Sequence, residues 1–164
     1  MFTINIQADL MNSHNDDTIE FVHMDELSLP LVNRFYKSCR YPAKAGRGER
    51  VYCLRQNGKI LAAVKLMPKS FDQQEWLFLR AMCVLPELQG QGLGKRFLED
   101  LQNCFDLPVY CYPFEHLEAF YGHVGFVCPG ETEKLPSAVG EAWRRLLGQG
   151  RKVLLMIHRN PVSV

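Results

Sequence analysis

Val84-Leu85-Pro86-Glu87-Leu88-Gln89-Gly90-Gln91-Gly92-Leu93-Gly94-Lys95 is the stretch on which the reading of this chain turns. Just before it, Glu75–Val84 is a long apolar run with aromatic and aliphatic residues on both faces, the pattern of a central strand covered on both sides. Pro86 ends that run, because proline cannot donate to a ladder. Just after it, Gly92–Phe105 carries Leu93, Phe97, Leu98, Leu101 and Phe105 at helical spacing, an amphipathic helix whose apolar stripe lies on a sheet. The stretch is therefore a strand-to-helix turn. Glycines one residue apart let the backbone come close to a ligand, and they leave several N–H groups pointing the same way. With the positive end of the helix dipole added, the turn is an anion site suited to a diphosphate.

Spacing excludes two phosphate motifs. A dinucleotide G-x-G-x-x-G counted from Gly90 would need glycine where Lys95 stands, and would begin directly after the strand. A G-x-x-x-x-G-K-[ST] loop would need glycine at Gln89 and a hydroxyl residue at Arg96. What fits is Q-x-x-G-x-G, read from Gln89 through Gly92 and Gly94, five residues after a strand ending in Val-x-Pro. Leu117-Glu118-Ala119-Phe120-Tyr121-Gly122-His123-Val124-Gly125-Phe126 supplies a second pattern, A-x-Y-x-x-x-G-F. With a strand at Leu107–Tyr112 between them, the two segments make residues 51–128 resemble the GCN5-related N-acetyltransferase (GNAT) superfamily.

The rest of the chain reads outward from this centre. Phe2–Gln7 and Thr18–His23 are short strand candidates, and Leu29–Cys39 is a helix with Ser28 as N-cap and Pro30 in its first turn. Tyr41–Arg50 is a loop rich in glycine and basic residues. Val51–Gln56 and Lys59–Met67 flank Asn57-Gly58, which supplies both positive φ angles of a two-residue hairpin turn. Beyond the turn, Glu115–His123 reads as a helix, Gly125–Cys128 as a short strand, Ser137–Leu147 as a helix and Lys152–His158 as a final strand. This order predicts an α/β (α+β) fold: one mixed sheet with helices on both faces, and a single domain over residues 1–164 with no linker to split it.

At 164 residues and 47% hydrophobic content the chain has the make-up of one globular domain rather than a disordered or fibrous one. Its 19 Lys+Arg against 18 Asp+Glu leave a formal charge of +1, so no global charge drives it onto nucleic acid or a membrane. Residues 1–27 contain no Lys or Arg, which argues against a targeting segment, and no apolar run approaches the roughly 18 residues of a membrane helix. The cysteines at 39, 53, 83, 104, 111 and 128 form no CxxC or CxxxC, so neither a zinc knuckle nor a dithiol redox motif is available. The expectation is a reduced, cytoplasmic domain with buried thiols and no metal. The charge is uneven. Asp9, Asp16, Asp17, Glu20, Asp25 and Glu26 crowd the start, whereas residues 31–59 hold Arg34, Lys37, Arg40, Lys44, Arg47, Arg50, Arg55 and Lys59 against Glu49 alone. These are either two solvated faces that partly neutralise each other or a functional basic rim.

The resemblance implies a mostly antiparallel central sheet in which the strand ending at Val84 splays from that at Leu107–Tyr112. Acetyl-CoA would enter the gap. Its pantetheine arm would pair with the backbone of Met82, Cys83 and Val84, and its diphosphate would lie on Gln89, Gly90, Gln91, Gly92, Leu93, Gly94 and Lys95. Tyr121 takes the place of the catalytic tyrosine, the general acid to the departing thiolate; with a reference pKa near 10, a phenol holds its proton at neutral pH. A backbone N–H near Val84 would meet the oxyanion. Where some members carry a glutamate on the central strand this chain has Phe78, so Glu75, Glu115, His116 and a water relay are the candidate bases. Phe114 stands where several members carry asparagine. In such folds the first helix and following loop build the acceptor site, which makes Lys44, Arg47 and Arg50 candidates for an acceptor's carboxylate or phosphate, for the CoA 3′-phosphate, or for plain solvation. The implied activity is acetyl transfer to a primary amine of a small molecule or peptide. The alternatives are a CoA-binding sensor or inactive regulatory module, and transfer of a longer acyl chain. Helix Ser137–Leu147, with Trp143, would cover the acceptor cleft or form a homodimer face.

Overall fold

The computed structural model describes residues 18–159, so the strand expected at Phe2–Gln7 lies outside the described residues. Strands β1 (Glu20–Met24), β2 (Arg50–Gln56), β3 (Lys59–Phe71), β4 (Gln74–Val84), β5 (Val109–Cys111) and β6 (Met156–His158) form one sheet in chain order. All neighbours are antiparallel except β4 and β5, which are parallel. Helix α2 (Leu93–Gln102) supplies the crossover that a parallel pair requires. Helix α1 (Leu29–Ser38) links β1 to β2, while α3 (Glu118–Gly122) and α4 (Ser137–Gly148) lie between β5 and β6.

The two-faced pattern of β4 has the expected consequence. Leu77, Leu79 and Cys83 join the main core with Val32, Phe35 and Tyr36 of α1 and Phe97, Leu98 and Leu101 of α2. Trp76 enters a smaller core on the opposite face with Tyr110, Val139 of α4, Leu155 and Ile157. Two side-chain bonds fasten α4 over that second core: Tyr112 Oη donates to the Val139 carbonyl at 2.7 Å, and Trp143 Nε1 to the Val153 carbonyl at 3.0 Å. Helices thus cover both faces of a mixed, mostly antiparallel sheet.

Asn57 and Gly58 make the predicted tight turn, with φ of 49° and 76°. Strand β3 runs past Met67 to Phe71, through Pro68. It can do so because the β2 ladder stops at the Arg50↔Leu66 pair, so a missing N–H at Pro68 breaks no bond there. The turn into β4 is Asp72-Gln73, both at positive φ (46° and 68°) without a glycine.

Three expected elements are shorter. Leu107–Tyr112 is regular only over Val109–Cys111, since Pro108 and Pro113 cannot donate to a ladder. Gly125–Cys128 is reduced to one bridge, Val127↔Ile157, between Gly125 at φ 99° and Pro129. Lys152–His158 is ladder only from Met156; its first half runs beside residues 113–115 through single bonds, among them Leu154 N–H to the Pro113 carbonyl at 2.8 Å. Glu115–His123 is a 3-10 turn over Glu115–Leu117 followed by α3.

Candidate active site

Strand β4 contains the feature that opens the sheet. The Leu77 N–H bonds the Pro108 carbonyl, on the β5 side, at 2.8 Å, whereas the Leu85 N–H bonds the Leu61 carbonyl, on the β3 side, at 2.9 Å. Residues eight apart in a regular strand would face the same edge, so one extra residue has been inserted between them. The register places it where Ala81 and Met82 together oppose Val64, and Ala81 has φ 58°. This bulge reverses the parity of β4, so that Met82 and Val84, rather than Ala81 and Cys83, direct their backbone groups toward β5. Strand β5 is no longer there to receive them, because its ladder with β4 is confined to Leu77↔Val109 and Phe78↔Tyr110. The left-handed conformation costs an alanine roughly 1–2 kcal/mol. The buried Tyr36 hydroxyl holds it in place by donating to the Ala81 carbonyl at 2.8 Å.

At the far end of β4 the glycine turn takes the predicted form. Gly90 and Gly92 have φ of 77° and 81°, and a Cβ at either would meet nothing within 4 Å, so both border open space. Gly92 caps α2, and the first described backbone bond there runs from the Arg96 N–H to the Gly92 carbonyl at 3.1 Å. The N–H groups of Gly90 through Lys95 bond no described residue; the first turn of a helix leaves its N–H groups without intrahelical partners. The side chains of Gln89 and Gln91 brace the turn. Gln89 Nε2 donates to the Val84 carbonyl at 3.2 Å, and Gln91 Nε2 to the Glu87 carbonyl at 3.3 Å. Gly94 lies against the Phe120 ring and Val84, at 3.5 and 3.6 Å from its would-be Cβ, bringing the head of α2 up to α3.

Between the bulge and α3 lies a cleft of about 550 Å³, bordered by Ala81, Met82 and Tyr121 on one side and by α4 on the other. Tyr121 is buried and packs edge-on to Phe120 and Phe126, at ring separations of 5.0 and 5.5 Å. Burial pushes its phenol well above the ordinary value, and its hydroxyl bonds no described residue. Cys83 is in the core, its thiol pushed up to about 12 chiefly by burial. Cys53 and Cys111 are likewise buried and protonated, as expected; Cys39 and Cys104 are half-buried and Cys128 is exposed, and none of the cysteines forms a disulfide.

None of the titratable base candidates borders this cleft. Phe78 does, stacked on Tyr110 at 4.8 Å. Glu75 accepts from Ser70 Oγ at 2.7 Å outside it, and Glu115 and His116 border a separate cavity on the other side of α3. Among the described residues no Asp, Glu or His borders the cleft, and no group of three His, Cys, Asp or Glu side chains is arranged to hold a metal.

The basic segment expected at the acceptor site is engaged elsewhere. Arg47 pairs with Glu26 at 3.4 Å, Arg50 with Asp106 at 2.7 Å and Arg55 with Glu20 at 3.1 Å, so the acidic and basic stretches do neutralise each other in part. Lys44 is exposed, and its carbonyl accepts from the buried Lys65 Nζ at 2.8 Å; that ammonium also pairs with Glu49 at 2.8 Å. Asn33 clasps the same loop through both the N–H and the carbonyl of Ala45. Of the whole segment only Tyr41 reaches the cleft, whose cations are Arg80, Arg145 and Arg151.

A sheet parted beside a glycine turn, with a tyrosine-bearing helix across the gap, is the architecture of an N-acetyltransferase fold, and solved structures agree. Arabidopsis thaliana Naa50 in complex with a bisubstrate analogue is similar over 87% of this chain and 99% of its own, at 11% identity and a TM-score of 0.59. The ribosomal-protein-S18-alanine N-acetyltransferase of Escherichia coli matches over 90% and 99%, at 15% identity and a TM-score of 0.57. N-acetylglutamate synthase of Neisseria gonorrhoeae, complexed with coenzyme A and N-acetyl-glutamate, matches over 87% of this chain but 35% of its own, at 15% identity and a TM-score of 0.58. A search of curated proteins gives no match. The family model for the acetyltransferase (GNAT) domain matches residues 47–128, half of the chain, which therefore belongs to the GNAT acetyltransferases.

Proposed function

We propose that this protein is an acetyl-CoA-dependent N-acetyltransferase, formed as one domain, that transfers acetyl directly to a primary amine of a small molecule or peptide. One observation carries the reading: Met82 and Tyr121, whose hydroxyl bonds no described residue, border one cleft, and the head of α2, where the N–H groups of Gly90–Lys95 bond no described residue, packs through Gly94 against Val84 and Phe120. Gly90, Gln91, Gly92, Leu93, Gly94 and Lys95 would hold the diphosphate of acetyl-CoA by main-chain N–H groups, with Gln89 bracing them. Met82 and Val84 would bond the amides of its pantetheine as an added strand does, and Cys83 acts only through packing.

The acceptor nitrogen forms its bond to the acetyl carbon as the carbon–sulfur bond breaks. The nitrogen gives up one proton and the sulfur gains one. Tyr121 serves the sulfur. Its raised pKa keeps the phenol protonated until negative charge develops there, and it then donates to that charge as general acid. The proton released by nitrogen returns to Tyr121 through water, since among the described residues no carboxylate or imidazole borders the cleft. A β4 N–H at Met82 or Val84 would meet the oxyanion.

The test is a thiol-release assay with acetyl-CoA across a panel of amines. Tyr121→Phe should lower kcat by roughly 100-fold or more, in the range of positioned acids, with little change in the Kd for CoA. With water as proton acceptor, kcat/KM should follow the pKa of each amine. Equal turnover by Tyr121→Phe would remove Tyr121 from the chemistry. Tight CoA binding without turnover of any amine would favour a CoA-binding sensor, a reading to which the lack of a carboxylate or imidazole in the cleft, among the described residues, also lends support.

A further inference from the structure

We infer that the acceptor carries a carboxylate or phosphate close to its amine, held by Arg145 and Arg151 on the wall of the cleft formed by α4 and the segment after it; this rests on the N-acetyltransferase reading. Arg80, Arg145 and Arg151 come from β4, the last turn of α4 and the segment after it, yet all three border one cleft that no acidic side chain among the described residues lines. None of them enters an ion pair with a described residue. Arg47, Arg50, Arg55 and Lys65, by contrast, each have a carboxylate partner. Cations gathered around a concave site, with no ion-pair partner among the described residues, make a potential that selects anions.

None of Gly90–Lys95 lines this cleft; Gln91, Gly92 and Leu93 border a separate pocket with Ile19 and Arg96, so the three arginines are set apart from the turn that would take the diphosphate. Helix α4 is also rigidly set. Ala142, Arg145, Leu146 and Gln149 line the cleft at helical i, i+3, i+4 and i+7 spacing, while Val139 and Trp143 anchor the helix to the sheet. Arg80 sits 5.8 Å over the Phe78 ring in the facing wall. A guanidinium fork suits a carboxylate or phosphate, and three positive charges also lower the pKa of an incoming ammonium group. The cleft thereby favours the neutral amine that attack needs and opposes a polycation.

The test compares acetylation of amino acids with that of their carboxamides and of diamines, with O-phosphoethanolamine against ethanolamine to distinguish phosphate from carboxylate. The acids or the phosphate should lead in kcat/KM by roughly 10- to 100-fold, the worth of one charge-assisted contact. Arg145→Gln with Arg151→Gln should abolish that preference, mainly through KM, and leave the Kd for CoA unchanged. In a second arm, calorimetry on the CoA-loaded protein compares an N-acetyl amino acid with its N-acetyl amide; the acid should bind at least tenfold tighter. Turnover of amides or diamines as good as that of the acids overturns the anion subsite and leaves the acetyltransferase reading intact. Failure to bind CoA overturns that reading, and the binding arm is then run on the CoA-free protein. Equal binding of acid and amide, or binding of neither, overturns the subsite.

Discussion

Gly92→Ala isolates the backbone conformation of the turn from any steric effect. Gly92 has φ 81° and ψ 3°, and a Cβ there would meet nothing within 4 Å, so the cost of the methyl group is the left-handed conformation alone. That cost is roughly 1–2 kcal/mol. For a domain of this size each kcal/mol moves Tm by about 2–4 °C, so a fall of about 2–8 °C is expected. If the chain escapes the strain by rotating φ, the N–H groups of Leu93, Gly94 and Lys95 turn away from their common direction. Each lost bond to a charged phosphate is worth about 1.5–3 kcal/mol, so CoA affinity should fall by roughly tenfold or more. Gly94→Ala is the control. Its Cβ would touch Phe120 and Val84 at ordinary contact distances and the residue is helical, so Tm should hold or rise. Thermal unfolding and CoA calorimetry on both variants read the two effects separately. Unchanged Tm and unchanged CoA affinity in Gly92→Ala would refute the reasoning, as would loss of affinity in Gly94→Ala alone.

Two further outcomes follow from buried groups. Tyr36→Phe leaves the buried Ala81 carbonyl without its donor, which costs about 1–3 kcal/mol and should lower Tm by about 2–12 °C. Because the bulge sets the parity of Met82 and Val84, the KM for acetyl-CoA should rise as well; unchanged Tm and KM would mean that the bulge needs no clamp. His158 is buried beside Phe105 and Phe126, and burial depresses its pKa below the ordinary 6.5. The unfolded chain therefore binds a proton that the fold refuses, so this contribution to stability is complete above about pH 6.5 and is lost as pH falls from there to the folded pKa. Melting curves from pH 8 to pH 5 should fall more steeply for the native protein than for His158→Gln, and parallel curves would contradict the assignment.

What the sequence disclosed was local chemistry. Glycine at 90 and 92 demanded an unusual backbone, Asn57-Gly58 demanded a two-residue turn, and the apolar run of Glu75–Val84 demanded cover on both faces; each demand is met. The bulge at Ala81 and the turn at Asp72-Gln73 left no signal, because ordinary L-residues there are forced into the left-handed region by tertiary context. The choice between a neutralised basic stretch and a functional rim stayed open for a related reason. Arg47, Arg50 and Arg55 are neighbours in sequence, but their partners Glu26, Asp106 and Glu20 are brought by other strands and loops. Arg80, Arg145 and Arg151 share no run of sequence, and only the packing of α4 across the sheet unites them.

The opening in the sheet is therefore specified twice, once on each strand. On β5, Pro113 cannot donate to a continuing ladder, and its carbonyl is taken by Leu154. On β4, the bulge turns Met82 and Val84 toward a neighbour that has already left. Restoring either strand alone would not close the gap, since a regular β4 would still meet Pro113 and an extended β5 would still meet the wrong parity. Backbone groups at such an edge need partners, and a ligand with evenly spaced amides can supply them as a strand would. The tyrosine, the glycine turn and the arginines are then arranged around an edge whose geometry was fixed by Tyr36 and Ala81, residues that make no chemical contribution of their own.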